Sequence, residues 1–197
     1  MNSPRINGTS ALKPEERYTV AEYKLWNDNK RWELIHGVAF AMSPAPRRQH
    51  QKLAIDLGSR LLSFVGDKGC EIYLAPIDVY LPGPAQGEDD TVVQPDVLGV
   101  CDPSKLIDEG IRGAPDFIAE IISPSTADRD LTDKLALYEL HGVREYWVVF
   151  PENGRVFVYR RQGEAFCKVS QYNADEPVDS SVFPGFSWAP RAGRLSL

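Results

Sequence analysis

Histidine is scarce, cysteine is scarce and odd in number, and positive charge is outweighed; each shortage closes off a class of protein. The 197 residues hold three cysteines, Cys70, Cys101 and Cys167. Their wide separations match neither a disulfide framework nor the paired CxxC spacing of structural zinc, so a reducing compartment is expected. His36, His50 and His141 are the only histidines, which disfavours metal chemistry built on several imidazoles. No apolar run approaches the roughly 20 residues that span a bilayer, and the amino terminus has no signal-peptide core. A cytoplasmic protein with no membrane partner is expected. Lys and Arg number 22 against 28 Asp and Glu, a net charge of −6, so no bulk positive field advertises nucleic acid. Any polyanion must be met locally.

What is present is the profile of one globular domain, 43% hydrophobic and 25% charged. Residues 1–17 read as a disordered tail, and residues 18–197 as a single domain. Thr19 to Glu22 has capping-box spacing and opens a short helix. Trp32 to Ile35 and a second strand ending at Met42 form a hairpin around His36-Gly37. Leu53, Leu57, Leu61 and Phe64 recur at helical spacing until Gly66. Cys70 to Ala75 and Ile77 to Leu81 are strands parted by Pro76, and the acidic loop from Pro82 to Asp90 reads as a mobile tip. Thr91 to Val93, Val97 to Cys101 and Phe117 to Ile122 follow, the last almost continuously apolar, as a strand buried on both faces should be. A helix from Asp130 to His141 closes on Gly142. A hairpin joins Glu145 to Phe150 with Arg155 to Arg160, a weak strand surrounds Phe166 to Val169, and Phe183, Phe186 and Trp188 serve as packing anchors. This order predicts an α/β (α+β) fold, a mixed β-sheet flanked by helices.

Carboxylates are the abundant functional groups. By strand alternation Asp116, Ile118, Glu120 and Ile122 share one face, which sets Glu120 between two isoleucines. A buried carboxylate there must meet a cation, accept good hydrogen bonds or be protonated. Pro95 marks a bulge or strand entry and turns Asp96 out of the regular ladder. Asp96 and Glu120 on neighbouring strands suit a hard, oxygen-seeking ion; a strand-end aspartate binding a backbone N–H fits the spacing equally well. Asp130, Lys134 and Tyr138 fall on one helix face, a pattern that on its own reads as a solvated ion pair. Arg47, Arg48, His50 and Lys52 form the densest basic run and open a long helix, where they either hold a phosphate or are simply a solvated first turn. Ser123 to Thr126 reads as a turn with Ser125 and Asp128 at capping-box spacing, and Tyr146 and Trp147 read as core.

As a group, these residues resemble the Uma-two endonuclease family of the PD-(D/E)XK, restriction-endonuclease-like superfamily. The resemblance rests on Trp32 to Gly37, Met42 to Pro46, Pro95-Asp96, Ala114 to Thr126, Asp130 to Lys134 and Gly142 to Trp147, and is most specific between Glu120 and Trp147. It implies a restriction-endonuclease-like fold and a Mg2+- or Mn2+-dependent endonuclease acting on nucleic acid, DNA above all. Asp96, Glu120 and the carbonyl of Ile121 would be the metal ligands. The superfamily's lysine usually sits two residues after the glutamate, where this chain has Ile122, and the family pattern assigns that role to Lys134. Glu33 matches a supporting acidic position. Other readings are a nuclease fold kept as a binding or structural module without turnover, and glycoside hydrolysis, which wants aromatic platforms around separated carboxylates. Apolar surface on the terminal hairpin or between Phe183 and Trp188 would support a homodimer.

Overall fold

A computed structural model describes residues 16–42, 47–83, 88–123, 127–167 and 169–190. The first fifteen residues of the expected tail, the centre of the acidic loop and the Ser125–Asp128 cap lie outside the described residues. Helix α1 (Val20–Tyr23) opens on the predicted capping box, with Glu22 N–H donating to Thr19 Oγ1 at 3.2 Å and Thr19 N–H donating to Glu22 Oε2 at 2.8 Å. Strands β1 (Trp32–Ile35) and β2 (Val38–Ala41) pair as the expected hairpin. Its turn places His36 at φ 49° and Gly37 at φ 77°, both left-handed as a two-residue hairpin turn requires. Helix α2 (Arg48–Val65) buries Leu53, Leu57 and Leu61 and stops at Gly66.

The strands form not one mixed sheet but two large ones, with a two-stranded third formed late in the chain. After α2 come β3 (Glu71–Leu74), β4 (Asp78–Leu81), β5 (Thr91–Val93) and β6 (Val97–Val100). They are followed by the short β7 (Leu106–Ile107) and β8 (Gly110–Arg112), then β9 (Phe117–Ile121). One sheet runs in the order β2-β1-β5-β4-β8-β7, while β3, β6 and β9 belong to the other. Between β3 and β6 the chain crosses to the other sheet and back, each time at a proline. β3 pairs with β6 and β4 with β5, so Pro76 and Pro95 sit where each ladder is left, and a residue without an N–H cannot continue one. Ala75 N–H donates to the carbonyl of Asp96 at 3.1 Å, clasping the two crossings together. β7 and β8 were not foreseen, being too short to carry a period.

The predicted Asp130–His141 helix is likewise two helices, α3 (Ala127–Leu131) and α4 (Asp133–His141), broken at Thr132 with φ −125° and ψ −77°. Gly142 caps α4 in the left-handed conformation, at φ 87°. β10 (Glu145–Phe150) pairs parallel with β9 and antiparallel with β11 (Arg155–Gln162). β12 (Ala165–Phe166) and β13 (Ser170–Tyr172) both pair with β11, and β14 (Val178–Asp179) pairs with β15 (Ser187–Trp188). The second sheet therefore reads β12-β11-β10-β9-β6-β3, with β9 near its centre as its apolar sequence demands.

β9 divides the core by alternation. Phe117, Ala119 and Ile121 pack with α2 and Trp147, whereas Ile118 and Ile122 pack with Leu137, Tyr138 and Tyr146. Glu120 faces this second side. Tyr146 and Trp147 are fully buried, as expected of core residues. Phe183, Phe186 and Trp188 are also buried and join the α2 cluster. They stabilise the fold as anchors, so these three side chains are spent on the core rather than on exposed apolar surface. The absence of a disulfide is overturned too: Cys70 and Cys101 are bonded. Antiparallel pairing of Glu71 with Val100 sets the two cysteines opposite each other, a closeness their separation of 31 residues conceals. Among the described residues no helix is long and apolar enough to cross a membrane.

Candidate active site

Glu120 points from the centre of β9 into the space under α4, and its charge is met there rather than in water. Lys134 Nζ donates to Glu120 Oε1 at 2.8 Å, and the Tyr138 hydroxyl donates to the same oxygen at 2.9 Å. Lys134 also lies 2.8 Å from Glu33 Oε1 and 3.6 Å from Asp130 Oδ1. With the Lys134 side chain only 4% exposed, the solvated-ion-pair reading fails. The helix face at i, i+4 and i+8 is turned inward because the strand beneath it carries a carboxylate.

Glu33 comes from β1 in the other sheet. Its Oε1 accepts the backbone N–H of Gln94 at 3.0 Å, and its Oε2 lies 3.3 Å from Arg129 Nη1. The Arg129 guanidinium also sits 4.4 Å above the Phe40 ring. Lys134 thus ties the two sheets together through one carboxylate from each.

Asp96 lies at the second crossing, just before β6. Its Oδ2 accepts the backbone N–H of Ile121 at 2.8 Å and lies 3.1 Å from His50 Nε2. The modest backbone-binding role proposed for Asp96 is therefore real, and it holds the carboxylate beside the peptide that follows Glu120. Asp96 N–H in turn faces Glu120 Oε2 at 3.4 Å. His50 turns inward from the first turn of α2, while Arg47, Arg48 and Lys52 are exposed. His50 Nδ1 is buried without a hydrogen-bond partner among the described residues.

The electrostatics follow from burial. Burial pushes Glu120 up to about 8; Lys134 opposes this, and Asp130, Asp96 and Glu33 add to it. Burial works against the Lys134 ammonium, but Glu120, Glu33 and Asp130 outweigh it and hold its pKa well above the ordinary value. Four carboxylates, Glu33, Asp96, Glu120 and Asp130, share this region with the ammonium of Lys134 and the guanidinium of Arg129, with the His50 imidazole beside Asp96, so carboxylates outnumber the permanent positive charges. Among the described residues Asp96 Oδ1 has no hydrogen bond and Glu120 Oε2 only the long one. Two under-bonded carboxylate oxygens from adjacent segments fit a hard divalent cation. Among the described residues no group of three or more His, Cys, Asp or Glu side chains forms a ready metal cage. What the residues offer is two carboxylates rather than a closed cage, the number with which a hard divalent cation is commonly held beside waters.

The structure gathers Glu33, Glu120 and Lys134 in direct contact, with Asp96 one hydrogen bond away. Sequence reasoning did not assign roles to Tyr138, Asp130, Arg129 or Gln94, although the helical spacing of the first two was visible. It also gave His50 to phosphate rather than to Asp96.

Comparison with known proteins bears on the same region. A family described as "Uma2: Putative restriction endonuclease" matches residues 20–192. An uncharacterized protein of Synechocystis sp. PCC 6803, sll1609, is 25% identical over 151 residues, covering 74% of this chain and 82% of the relative. A second from the same organism, slr1290, is 21% identical over 169 residues, covering 84% and 86%. A crystal structure titled as a putative nuclease belonging to DUF820, from Anabaena variabilis, superposes with a TM-score of 0.71 at 21% identity. That superposition covers 88% of this chain and 96% of the other, and shows a shared fold.

Proposed function

The chain belongs to the Uma2 family, and from that membership together with the Glu33–Asp96–Glu120–Lys134 cluster we propose a Mg2+- or Mn2+-dependent endonuclease that hydrolyses phosphodiester bonds in DNA. The observation that carries the reading is Glu120: a carboxylate sealed in the core, set against a buried ammonium and beside a second carboxylate with an open oxygen. A purely structural strand would bury an isoleucine there at far lower cost.

Asp96, Glu120 and the carbonyl of Ile121 would hold the cation, which when bound supplies Lewis acidity and a more acidic water. The chain's own groups do the rest. Lys134 remains an ammonium and offsets negative charge that develops on the phosphoryl oxygens. Tyr138 fixes the orientation of Glu120, and His50 and the Ile121 N–H fix that of Asp96. Glu33, held by Gln94 N–H and Arg129, keeps Lys134 in place from the opposite side. Arg47, Arg48 and Lys52 stand exposed on the turn that carries His50 and would meet substrate phosphates.

Purified protein should nick supercoiled plasmid when Mg2+ or Mn2+ is added. Glu120→Gln and Asp96→Asn should reduce nicking to background while the circular-dichroism spectrum is retained. Undiminished nicking in chelator, or by either variant, refutes the assignment. A second reading, a nuclease fold used for binding alone, is favoured by Lys134 itself, whose ammonium already lies 2.8 Å from both glutamates. Calorimetric titration separates them: no heat with millimolar Mn2+ together with no nicking would support the non-catalytic reading.

A further inference from the structure

Four aromatic side chains, Tyr23, Trp26, Trp32 and Tyr80, line a cavity of about 390 Å3 between the end of α1, the start of β1 and β4. That volume falls within the roughly 300 to 1,000 Å3 of small-ligand sites. The polar wall is one connected chain. Arg31 donates through Nε and Nη2 to Gln94 Oε1 at 3.0 and 2.7 Å, and Gln94 Nε2 donates to Asp78 Oδ1 at 2.7 Å. The hydroxyls of Tyr23 and Tyr80 donate to Asp78 at 3.2 and 3.1 Å. Burial, and after it the charge of Asp78, pushes both phenols above their ordinary range, so they stay donors. Gln94 is 8% exposed and its amide has one orientation, oxygen toward Arg31 and nitrogen toward Asp78. Its backbone N–H is the donor that holds Glu33. One residue thus walls the cavity with its side chain and the candidate active site with its peptide.

This donor set selects a ligand class. An apolar molecule would leave the Arg31–Gln94–Asp78 chain idle, and a bare anion would face the Asp78 carboxylate. Aromatic walls with a fixed amide and guanidinium suit a flat heterocycle with polar edges; the lining also carries the Glu109 carboxylate, against which Lys30 and Lys24, the latter with its ammonium 4.8 Å from the Tyr80 ring centroid, supply two exposed positive charges for an attached phosphate. We propose that this cavity is a nucleobase subsite, which receives one unstacked base of the strand whose backbone lies at the Glu33–Glu120–Lys134 cluster, with Trp26 as the stacking wall and Arg31 and Gln94 at the base edge. The inference rests on the nuclease reading, and the Gln94 connection is why the base belongs to a strand and not to a free nucleotide.

Binding in chelator tests the subsite without cleavage. Tryptophan fluorescence and anisotropy of the full chain are titrated with a short single-stranded oligonucleotide, with the same strand made abasic, and with a nucleoside monophosphate. The normal strand should quench fluorescence and bind about 5- to 150-fold more tightly than the abasic one, the range expected of a stacked base. Trp26→Ala, shown to be folded by circular dichroism, should bring the normal strand to the abasic level, and Trp26→Phe should restore the difference. The monophosphate should bind at least about fivefold more weakly than the strand, since it lacks neighbouring phosphates. Equal binding of normal and abasic strands, an unchanged ratio in folded Trp26→Ala, a monophosphate that binds as tightly as the strand, or no binding at all each overturns the subsite. Plasmid nicking by the wild type, set against Glu120→Gln, is read separately, so a nuclease without this subsite is recognised as such.

Discussion

Three carboxylates lie within 3.6 Å of the Lys134 ammonium, whose charge offsets part of theirs. Removing it strands buried negative charge. Lys134→Met should therefore destabilise the chelated protein by about 3 to 5 kcal/mol, the usual cost of deleting one partner of a buried pair. Urea denaturation measures this, and added Mn2+ should recover part of the loss if Asp96 and Glu120 bind it; an unchanged midpoint would mean that the cluster carries no net charge. Tyr138→Phe removes one hydrogen bond to the same carboxylate and should cost about 1.5 to 3 kcal/mol by the same measurement. At this scale Glu120 was legible because a charged residue interrupts an apolar strand. Tyr138 and His50 were not, since a tyrosine at helical spacing reads as packing and a histidine among arginines reads as part of a basic face. Their roles depend on which strand lies beneath, and single residues do not encode that.

The elements that present this cluster are short and end sharply, and α4 shows how. Its last turn is closed by Gly142 at φ 87°, whose N–H donates to the Glu139 and Tyr138 carbonyls, and a Cβ there would meet no atom within 4 Å. The cost of a side chain is then conformational alone. Gly142→Ala should lower stability by about 1 to 2 kcal/mol, and Gly142→Asn should lose less, because asparagine tolerates the left-handed region. A thermal melt of both variants checks the order; equal melting temperatures would show that the cap is not held in this conformation. Glycine stops, capping boxes and alternation made α1, α2, β1, β2, β9 and β10 readable from sequence. The break at Thr132 was not, because the residues on either side keep helical spacing. Nor was the division into two sheets: prolines announce that a ladder ends but not which strand takes up the chain afterwards. The Cys70–Cys101 bond was hidden for the same reason, being a consequence of pairing between β3 and β6.

For the whole molecule the governing quantity is a net charge of −6 on a chain that would have to approach a polyanion. Overall repulsion leaves attraction to a local patch, and we propose the exposed Arg47, Arg48 and Lys52 at the start of α2 for that role. They stand on the helix turn that turns His50 toward Asp96, 3.1 Å away, so a backbone held by them is delivered toward the carboxylates. Three phosphate contacts release few counterions, and the logarithm of the binding constant should fall against the logarithm of salt concentration with a slope of about −3. Labelled duplex titrated in chelator over a series of salt concentrations gives this slope directly. Arg47→Ala combined with Arg48→Ala should flatten it by about two and weaken binding to all sequences alike, because phosphate contacts carry no sequence information. A slope near −6, or one that the double variant leaves unchanged, would place the polyanion on another face of the molecule and separate the basic turn from the carboxylate cluster beside it.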